Sequence, residues 1–150
     1  MPAYTTRNVV KTYLGIPSGT SSEDDPIDAA IDAAEAEIDA HTGRTFVVPG
    51  AATAKVYRPA NDRVVLVDDI AQTTSLVIKT DTADDGSYDT LLTITSDFIL
   101  DGNAAPYRVV RRVDGSSFPR PLSDRPTVQV TAYFGYGMSI PKAIVQASTV

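Results

Sequence analysis

The sequence predicts an α+β domain, with helices at its ends and a block of strands between them. Three observations predict it. Near the N-terminus, apolar residues recur every three or four positions, as on one face of a helix. After Phe46 the period drops to two, in short runs rich in β-branched and aromatic residues. From Ser139 a helical pattern returns, with Pro141 near its first turn. The strands must bury one face, and the helices are the available cover. A chain of 150 residues has the usual size of one domain. It is able to bury roughly 70% of its unfolded surface.

The first helix is expected over about 5–14, in "TTRNVVKTYLG". Thr5 or Thr6 caps it, and Gly15 ends it. Val9, Val10, Tyr13 and Leu14 form its apolar face. A loop rich in Ser, Gly and acids follows. The second helix is expected over about 26–42, with Asp25 as N-cap and Pro26 at the first position. Ile27, Ile31, Ala34 and Ile38 fall on one line of it. Asp28, Asp32, Glu35 and Asp39 fall on a second line, about 100° around the axis. Gly43 ends the helix, and its many alanines allow another backbone close.

Five to seven strands are expected over about 55–136. The clearest is "TVQVTAYFGY", where Val128, Val130, Ala132 and Phe134 alternate with Thr127, Gln129, Thr131 and Tyr133. Asp85-Gly86, Asp101-Gly102 and Asp114-Gly115 mark turns. The strands can form a small sandwich or one curled sheet. A short last helix is expected over about 141–149.

Composition excludes several classes. There is no cysteine, so disulfides, thiolate catalysis and cysteine zinc sites are out, which fits a reducing compartment. No stretch approaches the ~18 apolar residues of a membrane helix. The N-terminus lacks a signal-peptide pattern. The net charge of −6 argues against simple coating of nucleic acid. Residues 1–50, 51–100 and 101–150 carry −5, −4 and +3. An acidic front and a basic back suit heterologous contacts between copies. A solvated surface with uneven charge is the plainer alternative.

The search for chemistry yields no enzyme. His41 is the only histidine; Asp39, two residues before it, points away from it, Glu37, four before it, is placed to pair with it, and nothing like GxSxG stands near any serine, so a structural or solvated histidine is expected. "DTADDGSYDTLL" departs from a calcium loop, with Ala83 third and Leu92 twelfth. No phosphate loop is present, and no cofactor or metal is expected. Arg108, Arg111 and Arg112 form a basic cluster, with Arg120 and Arg125 nearby, that reads as a protein interface.

The residue order then resembles a known family. A short helix ending at Tyr13, Leu14 and Gly15 precedes a helix carrying Ile31 and Ile38 and ending in Thr42, Gly43, Arg44 and Phe46. This resembles the head–tail connector (head-to-tail adaptor) proteins of tailed bacteriophages. "VVLVDDI", "DFILDGNAAPYRVVRR" and "SSFPRPL" look like the β-rich middle of longer members, and "FGYGMSIPKAIVQAS" like their last junction. The resemblance spans nearly the whole chain, so residues 1–150 are expected to be one connector domain.

It implies a non-catalytic virion subunit at the head–tail junction, made in the host cytoplasm. Copies would form a ring, twelve-fold like the portal. The portal protein and a stopper or tail-completion protein would be its partners. DNA would pass through without sequence-specific binding. Asp28, Asp32, Glu35 and Asp39 would then face the channel or a neighbour's Arg108, Arg111 and Arg112. Family members often grip the portal with a longer final helix and tail. Here the grip is expected to be short, through Pro141, Ile144 and Val145, or to come from another segment. The rival readings are another head-completion, stopper or tail-joining subunit, a monomeric ligand-binding α+β module, and a hydrolase using His41.

Overall fold

A computed structural model describes residues 4–149. In chain order the elements are α1 (Arg7–Leu14), α2 (Asp24–Thr42), β1 (Thr53–Tyr57), β2 (Pro59–Asn61), β3 (Val64–Thr80), β4 (Thr90–Leu92), β5 (Phe98–Leu100), β6 (Tyr107–Arg112), β7 (Val128–Phe134) and α3 (Lys142–Ala147). The fold class is α+β, with helices at both ends of a β-rich middle, as the change of period predicts. The chain divides into a helical unit (Met1–Val48 with Ser139–Val150) and a sheet unit (Pro49–Met138).

In the helical unit the caps are mostly the predicted ones. Thr6 precedes α1, and its hydroxyl accepts from the Val9 N–H. Gly15 follows it at φ 69°, where the absent Cβ removes the left-handed penalty, and Ile16 N–H returns to the Lys11 carbonyl at 2.8 Å. Gly43 ends α2 at φ 62° and donates to the Asp39 carbonyl at 2.9 Å. The start of α2 differs from expectation. It begins at Asp24, and Pro26 sits third. Pro26 is tolerated because the first four N–H groups of a helix lack intrahelical partners anyway.

The orientation of α1 also differs. Val9, Tyr13 and Leu14 are exposed, and Lys11 is the buried residue of the helix. The reason is charge. Lys11 pairs with Asp24 and donates to the Thr20 carbonyl, while Arg7 holds Asp24 at 2.7 Å and pairs with Asp28. These contacts turn the basic side of α1 toward α2, so most of its apolar face is left outward. On α2, Ile27 and Ile31 are buried, and Ala34 and Ile38 are half-buried.

The sheet unit holds one seven-stranded antiparallel sheet among the described residues, a single sheet rather than a sandwich. Its order is β1-β7-β3-β6-β5, with β2 and β4 also paired to β3. The predicted runs "RVVLV" and "SLVIKT" are one continuous strand, the 17-residue β3. Its first part pairs with β2 and β6, its last part with β4 and β7. Between Gln72 and Val77 the register against β7 shifts, and Ser75 there adopts φ 60°. Such an irregularity bends a strand and lets it serve two sets of partners.

The core lies on one face of this sheet. Val65, Ile70, Ile78, Val110, Val128, Val130 and Ala132 are fully buried, and Phe98 and Phe118 nearly so. The alternation predicted for β7 is observed, with Val128, Val130 and Ala132 inward and Phe134 half-buried beside Tyr57.

Candidate functional site

Three of the four carboxylates on the acidic line of α2 meet partners in the helical unit. Asp28 accepts two hydrogen bonds from the Arg7 guanidinium, one of them at 2.9 Å. That contact holds its carboxyl below the usual range and raises the Arg7 value. Glu35 accepts from the Tyr4 N–H, and Asp39 accepts from the Tyr4 hydroxyl. The same hydroxyl accepts from the Phe46 N–H at 2.7 Å, and the Tyr4 and Phe46 rings meet edge to face. Burial first, then the bond to Asp39, pushes the Tyr4 phenol up to about 12. Asp32 alone of the four is exposed, with no hydrogen bond or ion pair reaching it among the described residues.

Tyr4, Arg7 and Lys11 are absent from the residues singled out by motif. A signal for them existed. Arg7 and Lys11 are four apart on one side of α1, the spacing that matches acids repeating at three and four on α2. Beyond the acids, α2 exposes Ala29, Ala33, Ala36 and Ala40, a smooth side formed by residues spaced by three and four.

The basic cluster does not form one patch. Alternation along β6 sends Arg108 and Arg112 to one side of the strand and Arg111 to the other. Arg108 is exposed and lies 3.2 Å from an Asp69 oxygen. Arg111 is exposed and pairs with Asp101, which raises its pKa. Arg112 is buried, stacks over the Phe118 ring and bonds both oxygens of Asp114. That contact pulls the Asp114 carboxyl down to about 2. Arg112 therefore organises the turn after β6, and Arg108 and Arg111 are the members that reach the surface.

Pro141 flanks the start of α3, and Ile144 and Val145 are half-buried. Ile144 and Ala147 border a hollow of about 500 Å³ with Ala34, Ile38 and His41 of α2. His41 is exposed there beside Glu37. In the sheet unit, the buried Asp81 accepts from the backbone N–H groups of Asp85 and Gly86 at 3.3 and 2.7 Å. Its two oxygens therefore hold the β3–β4 turn. Among the described residues no group of three or more His, Asp or Glu side chains is placed to hold a metal ion.

Two solved structures are similar to this chain in fold. A chain from the neck of an empty gene transfer agent particle, computed with six-fold symmetry, matches with a TM-score of 0.55. The match is 18% identical and covers 93% of this chain and 73% of that one. A chain from the virion of a native gene transfer agent particle matches with a TM-score of 0.51 and 19% identity, over 95% of this chain and 74% of that one. The fold is shared. No protein-family model matches the sequence. No curated protein matches it either.

Proposed function

We propose that this chain is a structural subunit of the neck of a phage-like particle, an adaptor that forms a ring below the portal and extends the DNA channel from head to tail. The observation that carries the reading is the likeness in fold, over 93% of the chain, to a chain from the neck of a gene transfer agent particle. The order of elements gives independent support, since a connector-like pair of N-terminal helices precedes the β-rich segment. The role is assembly, with no catalytic step. The partners are the portal, a stopper or tail-completion protein, and further copies of the chain, twelve in the virion. Pro141, Ile144 and Val145 are the portal-docking residues.

In this reading the acids of α2 divide their work. Asp28, Glu35 and Asp39 fasten the N-terminal segment, and Asp32 is left to face the channel or a neighbour's Arg108 or Arg111. Acid in a bore keeps duplex phosphates from adhering, because basic contacts are what generate affinity for them. The test is the native mass of the purified protein, alone and mixed with the portal of the phage or prophage that encodes it. The expected result is a complex with one copy per portal subunit. A monomer that ignores the portal overturns the reading in favour of a ligand-binding module.

A further inference from the structure

The sequence carries three Asp-Gly pairs, Asp85-Gly86, Asp101-Gly102 and Asp114-Gly115. Such a pair is open to self-attack. The glycine nitrogen can close a five-membered ring on the aspartate side-chain carbonyl carbon, and glycine has no Cβ to block the approach. All three glycines are exposed and adopt positive φ, so sequence and exposure do not rank the pairs. Their hydrogen bonds do.

At Asp85-Gly86 the nucleophile is held. The Gly86 N–H donates to the buried Asp81 at 2.7 Å, and Asp85 Oδ1 is itself engaged by the Ser87 N–H at 2.8 Å. At Asp114-Gly115 the electrophile is held. Both Asp114 oxygens are bonded by Arg112, which is buried and stacked on Phe118, and Oδ1 also accepts from the Ser116 N–H at 3.1 Å. A carboxylate gripped on both oxygens stays ionised, and the ionised form resists attack by nitrogen. Asp101-Gly102 has neither guard. Among the described residues no acceptor meets the Gly102 N–H, and residues 102–105 are exposed. Arg111 reaches a single oxygen of Asp101, Oδ2, with its Nε at 3.1 Å and a second nitrogen on the same atom. Both side chains are open to water, and an exposed pair of this kind is weak.

We propose that Asp101-Gly102 is the site of spontaneous aspartate isomerisation in this protein, with Arg111 as its brake. The Gly102 nitrogen bonds to Cγ of the protonated Asp101 side chain. The Cγ–OH bond breaks, the nitrogen gives up its proton, and one water leaves, closing a succinimide. Water then adds to the former main-chain carbonyl and breaks its bond to nitrogen. The product is isoaspartate, of unchanged mass, with the main chain running through the side-chain carbons. Two contacts change as a result. The Asp101 N–H closes the β5–β6 pairing on the Val109 carbonyl at 3.0 Å, and the added backbone carbon disrupts that end. The carboxylate left behind is one carbon shorter and withdraws from Arg111. The inference is independent of the ring reading.

The test is to age the purified chain in neutral buffer, folded and in urea, and to follow isoaspartate at each pair by peptide mapping. In the folded chain residue 101 is expected to react about tenfold ahead of 85 and 114, or ~1.4 kcal/mol in the barrier. In urea the three rates are expected to converge, since the guards at 85 and 114 are lost. Equal rates in the folded chain overturn the proposal, as does a lead by 85 or 114. A lead at 101 that persists undiminished in urea also overturns it, because the cause is then local sequence and not the hydrogen bonds of the fold. In a second arm, Arg111→Ala is expected to speed the reaction at 101 and leave 85 and 114 unchanged. An unchanged or slower rate at 101 overturns the role of Arg111.

Discussion

The two units of this chain are held by different physics. The sheet unit has a dry core of branched side chains, with Val65, Ile70, Ile78, Val110, Val128 and Val130 all at 0% exposure. Among its described apolar residues the helical unit buries only Tyr4, Ile27, Ile31 and Phe46. It is fastened instead by Lys11 and Arg7 on Asp24 and Asp28, and by Tyr4 on Glu35, Asp39 and the Phe46 N–H. Apolar burial is non-directional and adds up over area. Polar contacts are directional and individually modest, and they weaken when one partner is lost. The sheet unit therefore has the larger reserve of stability. The helical unit has a precise internal arrangement and unfilled apolar surface, the combination expected of a part that completes itself on a partner.

The largest expected effect is in the sheet. Ile78→Ala removes a fully buried side chain and should cost about 2–5 kcal/mol, read from denaturant unfolding of the β signal. A loss under ~1 kcal/mol would mean that the site collapses around the gap and that the core is looser than its burial indicates.

Next comes Lys11→Ala. It leaves Asp24 without its most buried partner and should cost about 3 kcal/mol. Hydrogen exchange should show α1 and the first turns of α2 losing protection while β3 and β7 keep theirs. If the sheet amides weaken in step, the two units unfold as one body and do not differ in stability.

The smallest effect is Tyr4→Phe, about 1–2 kcal/mol for the lost hydroxyl and the unpaired Phe46 N–H. It carries a pH signature. The Tyr4 value is raised from 10.0 to about 12, so its contribution is complete below pH 10 and disappears as pH rises through 12. The unmodified protein should lose helical-unit stability across that window. In the Tyr4→Phe chain that loss should be reduced, and an unchanged alkaline slope would assign it to another tyrosine.

Much of this was legible from residues alone, because local rules govern it. Thr6, Gly15 and Gly43 mark helix ends through capping and left-handed backbone, and Val128, Val130 and Ala132 mark a buried face through a period of two. Tertiary structure alone decided the rest. The union of two runs into β3 depends on partners distant in the chain, which pair across the bend that separates them. The burial of Lys11 and the outward turn of Val9, Tyr13 and Leu14 depend on where α2 places Asp24 and Asp28. Periodicity tells which side chains share a side of a helix. It does not tell which side is turned inward, because that is settled by charge pairs between elements, and their energy depends on distances that no local pattern contains.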